Sequence, residues 1–302
     1  MLKPMLHGLI CAGLFFVFVG HSLNAETPTA LKAVAALPDS SYLVREVVYN
    51  ELHDHDSHGY WRYWIQRHVA KGSRGSEVVE QVETPEGPVS RTELSNGHAL
   101  SREALETENA RIQHLLSSPV EQAQHRREYA EDEHRIGSIL ALLPEAFLYE
   151  PAQIDGANYH LRFHPNPAYP AHSSEARIFH AMGGDLWISM QNKHLVRLDG
   201  KLQQNVDFGY GVLGRLYKDG WFRLDRTNVG SGMGNGDWKT KRLEVHLAGR
   251  AMLFKTIARE TSEERGGFTL VPSGLSLQQA AMLIGQPIAP AGAHPASLTT
   301  SR

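Results

Sequence analysis

From Gly184 to Thr256 the chain alternates apolar and polar residues in short runs broken by turn residues, and few architectures accept such a pattern. The runs are GDLWISMQNKHLVRLDGKL, VDFGYGVLGRLYKDGWFRLD and DWKTKRLEVHLAGRAMLFKT. A period of two marks half-buried strands, so the segment predicts a meander of antiparallel strands with little room for helices. Such a meander suggests a curved sheet that encloses or grips something. No residue within it announces a reaction.

The first residues predict export. Lys3 precedes an apolar run from Leu9 to Val19, and a polar segment ends at Leu23-Asn24-Ala25, the small-residue pattern of a secretory cleavage site. Residues 1–25 are therefore expected to be removed. The competing reading, a retained anchor, asks for about 20 apolar residues to span a bilayer, and this run is shorter. No integral span is expected after cleavage, and a periplasmic or secreted location follows. Cys11, the one cysteine, lies inside the apolar run. The mature chain then has no thiol for a disulfide, a nucleophile or a zinc site.

The leader holds one lysine and no acid, so its loss moves the formal charge from −3 to −4. A nearly balanced, slightly acidic chain is not one that binds nucleic acid by neutralising phosphates. The remainder is long enough for one large β domain with a sizeable core, or for two smaller domains. No repeat on the order of 20 to 50 residues is visible, which argues against a propeller or solenoid. A long charged helical segment between strands, and polar terminal residues, argue against an outer-membrane barrel.

The order along the chain reads strands, helices, strands, tail. Tyr42 to Leu52 is rich in β-branched and aromatic residues and Tyr60 to Val69 follows across a polar loop, so the two are expected to form a hairpin. Glu77 to Glu83 and Val89 to Leu94 form a second pair around Pro85-Glu86-Gly87-Pro88, a turn in which proline fixes φ and glycine allows a positive one. The period then changes. Ser101 is placed to cap a helix whose face continues through Leu105, Ile112 and Leu116. Ser118-Pro119-Val120-Glu121 starts a second helix with an N-cap, a proline at the first helical position and a capping-box glutamate. Its charged stretch, QAQHRREYAEDEHR, reads as a solvated face with pairs at helical spacing, and Pro144 is expected to stop it. Tyr159, Leu161 and Phe163 alternate with His160, Arg162 and His164, and Leu243, Val245 and Leu247 with Arg242, Glu244 and His246, each a strand with one wet face. Ser276 and Gln279 frame a short helix ending near Gly285, before a tail of proline, alanine and serine that is expected to stay disordered.

Three features invite a chemical reading. His53-Asp54-His55-Asp56-Ser57-His58 offers imidazole and carboxylate ligands suited to zinc, with His53, His55 and His58 as the candidates. Adjacent side chains cannot all aim at one ion, however, and no distant ligand can be named. The run Gly230-Ser231-Gly232-Met233-Gly234-Asn235-Gly236 lacks the spacing and the following helix of a phosphate cradle, so it reads as a hairpin tip. Trp61, Trp64, Phe147, Phe163, Trp187, Phe208, Trp221, Phe222 and Phe254 are numerous enough to line an apolar ligand cavity, and equally suited to filling the sheet's concave side as core. No nucleophile elbow or zinc-protease helix is present, and no cofactor is indicated.

The segments VETPEGPVSRTELSNGHALSREALETENARIQHLL, EDEHRIGSILALLPEAFLYE, LRFHPNPAY, FHAMGGDLWISMQNKHLVRLDGKL and DFGYGVLGRLYKDGWFRL through RAMLFKT resemble a family of exported acidobacterial proteins over nearly all of the mature domain. That resemblance carries no assigned activity. More remotely, the strand pair bearing Gly184, Trp187 and Ile188, then Leu195, Val196, Arg197, Leu198 and Gly200, is similar to the periplasmic lipoprotein carriers typified by LolA. This similarity implies an incomplete antiparallel barrel wrapped over helices, with an apolar cavity for acyl chains.

The expectation is therefore a mainly β chain with inserted helices: a leader (1–25), a half-barrel domain (26–268) with a helical lid at about 101–143, and a short helix and tail (269–302). Its expected function is to hold a lipid or acylated protein by burial. The alternatives are an envelope protein-interaction or stress-sensing module, and, behind it, a metal-dependent hydrolase centred on His53, His55 and His58.

Overall fold

The computed structural model describes residues 37–53, 59–69, 75–170, 173–208, 214–230, 237–251 and 255–285. The first described element corrects the expected order. Residues Ser40–His53 form a helix, α1, where a strand was expected from their β-branched content. Asp39 caps it by accepting the Tyr42 amide at 2.9 Å. Leu43, Val44, Val47 and Val48 are buried together, a spacing that puts them on one helical face and would split them between the two faces of a strand. Pattern prevailed over propensity, which is the weaker constraint.

Strand β1 (Tyr60–Val69) therefore has no partner in that segment and pairs instead with β2 (Ser76–Val82). β2 and β3 (Val89–Ser95) form the expected hairpin. In its turn Gly87 has φ +102°, and Thr84 donates its hydroxyl to the Gly87 carbonyl at 2.6 Å. After the two-residue β4 (His98–Ala99), Ser101 caps α2 (Arg102–Ser117) and Ser118 caps α3 (Pro119–Ala146). α3 runs two residues beyond Pro144, because the proline lies in the last turn, where the hydrogen bond it forfeits is one of few that follow. α2 shields the sheet's edge: Glu108 accepts the Thr92 amide at 2.8 Å, and Arg111 donates to the Ser90 carbonyl at 2.6 Å. Unpaired edge groups of β3 are thereby satisfied by side chains.

The second half supplies β5 (Phe147–Tyr149), β6 (Gln153–Asp155), β7 (Asn158–Pro165), the short helix α4 (Ser174–Phe179), β8 (Met182–Ser189), β9 (Leu195–Leu202), β10 (Val206–Phe208), β11 (Gly214–Leu216), β12 (Trp221–Asn228), β13 (Trp238–Ala251), β14 (Lys255–Val271) and α5 (Leu277–Leu283). The strands belong to one antiparallel sheet of order β4-β3-β2-β1-β14-β13-β12-β9-β8-β7-β5, curved and not closed. β14 lies between β1 and β13 and so joins the early hairpins to the meander.

The two faces differ in chemistry. One row crosses the inner face as Leu161, Leu186, Leu198, Leu224 and Leu243, then changes abruptly to Glu263, Arg67 and Glu77. α1 and α3 cover the apolar half, where Leu43, Val47, Phe163, Leu186 and Ile188 share one core. On the outer face the row Arg162, Asp185, Asp199, Arg223, Glu244 is charged throughout. Its ions pair across strands, Arg223 with Asp199 at 3.0 Å and Arg162 with Asp185 at 3.6 Å, which keeps that face wet. At the far end Leu277 and Ala280 of α5, a helix started by the Ser276/Gln279 capping box, and the following Ile284 are buried against Val82, Val89 and Val271.

β8 and β9 meet closely at Gly184 opposite Gly200. A Cβ on Gly184 would run into the Asp199 carbonyl and lie 3.0 Å from the Phe163 ring. Gly184→Ala is expected to cost about 1–3 kcal/mol through overpacking, measurable as a lower urea midpoint with an unchanged m-value.

Candidate functional site

Where α1 ends and α3 passes over the sheet, the inner face leaves a cavity of about 410 Å³. Leu52, Ile136, Leu140, Leu195, Leu224 and Phe268 give it an apolar wall. The α3 positions Tyr129, Glu133, Ile136, Gly137 and Leu140 reach it because they recur at helical spacing on one side. Ile136 is 54% exposed while lining the cavity, which puts the mouth beside α3. An apolar slot of about 30 Å³ adjoins it, sharing Glu51, Leu140 and Leu195 and bounded by Val44, Val47, Phe147 and Phe163.

Two ion pairs stand in the cavity wall, the first buried and the second half-buried. Glu51, on α1, contacts Arg226 of β12, accepts the Leu195 amide at 3.1 Å, and lies 3.3 Å from His194 Nδ1. Arg226 also donates to the Trp238 carbonyl at 2.6 Å. Burial pulls the Arg226 guanidinium down to about 10, which still leaves it cationic at neutral pH. Lys239 donates to both carboxylate oxygens of Glu83, at 3.0 and 2.9 Å, and Glu83 further accepts the Trp61 amide at 3.1 Å. Two phenols, Tyr63 and Tyr129, also line the cavity. Burial, then the charge of Glu83, pushes Tyr63 far above its ordinary value. Tyr129 is pushed up to about 12 by burial, with the charges of Glu133 and Glu83 adding.

The sequence candidates are scattered over this architecture. Phe147 and Phe163 line the apolar slot with their rings 4.8 Å apart. Trp61 packs with Tyr63 and Ile65 beside the cavity, while Phe208 and Phe222 pack against the main core. Trp64 lies over Gly266 on the other face of β1. Trp187 is on the outer face, stacked on His160 at 4.7 Å with the Arg197 guanidinium 4.7 Å from its ring. Trp221 is 39% exposed and stacks on His246. Phe254 lies outside the described residues.

His53 is exposed at the end of α1, its ring stacked on Tyr49 and its Nδ1 2.8 Å from the Tyr49 carbonyl. His55, His58 and residues 231–236 of the glycine run lie outside the described residues. Among the described residues no group of three or more His, Cys, Asp or Glu side chains is placed to hold a metal ion.

The sequence reading missed Glu51, Tyr63, Tyr129, Arg226, Trp238, Lys239, Arg265 and Phe268, all of which line the cavity. Tyr63 had a signal, since it shares strand parity with Trp61 and Ile65. Glu51 and Arg226 had none, because burial of a charge is decided by a partner far away in the chain.

No protein-family model matches this chain, and neither does any curated protein. What is defined is the class: a mainly antiparallel β protein built on one large, open, curved sheet with a few helices. No described helix is long and apolar enough to cross a membrane.

Two outcomes follow from the buried polar groups. Glu51→Ala leaves Arg226 buried without its carboxylate and is expected to cost about 3–5 kcal/mol, read from chemical denaturation. The Tyr129 phenol titrates near 10.0 when free and near 12 in the fold. The stability this neutral phenol contributes is complete below pH 10.0 and is lost as pH rises through about 12. Tyr129→Phe should flatten the alkaline fall in stability across that window, followed by denaturant midpoint against pH.

Proposed function

We propose that this chain is an exported binding protein that holds an apolar or acylated ligand between its curved sheet and the helices α1 and α3, acting by burial and not by bond chemistry. The observation that carries the reading is the cavity of about 410 Å³ with its apolar wall and an opening beside Ile136. Its size falls among small-ligand sites, which run from about 300 to 1,000 Å³. The leader-like residues 1–25 support export to the periplasm or beyond. The open curved sheet with helices on its inner face is in keeping with a half-barrel of the lipoprotein-carrier kind.

In this reading the lid differs from the one expected at about 101–143. α3 supplies one part and α1 the other, while α2 sits at the edge of β3. Each buried CH₂ contributes about 0.8 kcal/mol. About ten of them give roughly 8 kcal/mol, the free energy of a micromolar Kd, before the cost of association.

The test is mass spectrometry of organic extracts from protein purified out of its own envelope without detergent. Wild type and Trp187→Glu, altered only on the outer face, should carry a stoichiometric lipid or acylated peptide. Leu140→Glu, which puts a charge in the wall, should lose it at an unchanged circular dichroism spectrum. Folded wild type with an empty extract would overturn the proposal.

A further inference from the structure

The carboxylates that pair within the cavity wall are already bonded: Glu51 by Arg226 and the Leu195 amide, Glu83 by Lys239 and the Trp61 amide. The N–H donors are not all so placed. Arg265 Nε and Trp238 Nε1, both on cavity-lining residues, are buried and meet no acceptor. Buried donors are almost always satisfied, so each such exception calls for a missing partner such as a water or ligand.

Arg265 stands out because its charge is only half answered. Glu263 accepts from Arg67 at 2.8 Å and from Arg265 at 3.2 Å, so one carboxylate serves two guanidiniums. The two phenols of the same cavity, Tyr63 and Tyr129, hold their protons at neutral pH, and so add hydroxyl groups without adding negative charge. Leu140, Leu224 and Phe268 line the same cavity. An apolar wall and a guanidinium with one unpartnered N–H, sharing its carboxylate with Arg67, thus line one cavity.

We propose that the ligand is an amphiphile with an acidic head, a carboxylate or a phosphate, taken at Arg265 while its apolar part lies against Leu140 and Leu224. This rests on the binding reading above and names the class of ligand. A guanidinium in a sheltered site favours either head, since it can offer two parallel N–H groups to two oxygens.

The experiment is calorimetric titration of the delipidated full chain at neutral pH with dodecanoate, dodecyl phosphate and dodecanol. Both anions should bind at least about tenfold more tightly than the alcohol, the scale of one hydrogen bond to a charged group. Whichever anion is tighter separates a free fatty acid from a phosphate-headed lipid as the source. Arg265→Gln should bring the anion-to-alcohol ratio to within about threefold, and Arg265→Lys should restore much of it, since a point charge keeps the attraction and loses the fork. If Arg265→Gln does not fold, the wild-type ratio and Arg265→Lys still decide. Equal wild-type affinity for anions and alcohol overturns the head-group assignment and leaves the apolar cavity standing. No binding of any of the three removes the cavity reading as well.

Discussion

One carboxylate ties the architecture together. Glu51 lies in the last turn of a helix whose buried residues, Ser40 at its start apart, are all apolar, yet its side chain is only 6% exposed and faces β9 through Leu195 and β12 through Arg226. A buried ion pair is weak evidence for stability, because desolvation of both groups offsets most of the attraction. What it does supply is placement. A greasy helix slides easily on a greasy sheet, whereas a carboxylate that must meet a guanidinium and an amide allows one register. Asn50 adds to this by donating to the Asn192 and Lys193 carbonyls at 3.3 and 3.1 Å, so the last turn of α1 is pinned to the β8–β9 turn as well.

That pinning matters because the sheet's inner face changes character partway across. From β7 to β13 the row of leucines makes an ordinary core for α1 and α3. From β14 onward the same face mixes Glu263, Arg265, Arg67 and Glu77 with the apolar patch of Tyr63 and Ile65, a surface that no uniformly apolar helix face matches. The cavity lies at this border, between helices that follow the leucines and a sheet that turns polar beneath them. A fully apolar inner face would have been filled by packing, as interiors generally are. The polar half is what leaves the room, and it also explains why the enclosed wall holds both hydrocarbon and charge.

The legible parts of the sequence were those where a single local pattern decides the structure. Ser101, Ser118 and Ser276 each accept the amide three residues on, as their spacing implied, and Leu161 and Phe163 are buried while Arg162 is exposed. α1 was misread because Val44, Val47 and Val48 suggest a strand by type, although their spacing and Asp39 argue for a helix. β14 was not anticipated for a deeper reason. Its inner positions Thr261, Glu263 and Arg265 are polar because they border the cavity and the charged half of the sheet, so the alternation that betrays a strand is missing there. The site itself was mostly hidden, since its residues come from two helices and five strands and meet only once the sheet has curved.

How wide the cavity stands is set by the approach of the two helices above it. α3 carries Gly137 in mid-helix, where glycine is about 1 kcal/mol poorer than alanine. A Cβ there would lie 3.4 Å from Leu52 of α1, in ordinary van der Waals contact, so alanine would fit and anything larger would press the helices apart. The flanking residues Ile136 and Leu140 point into the cavity, and Ile139, Leu142 and Leu143 pack on the main core. One stretch of helix thus serves both as wall and as core, with the small residue placed at the joint between α1 and α3. The same double use of one stretch leaves an apolar, half-exposed residue, Ile136, at the cavity's opening.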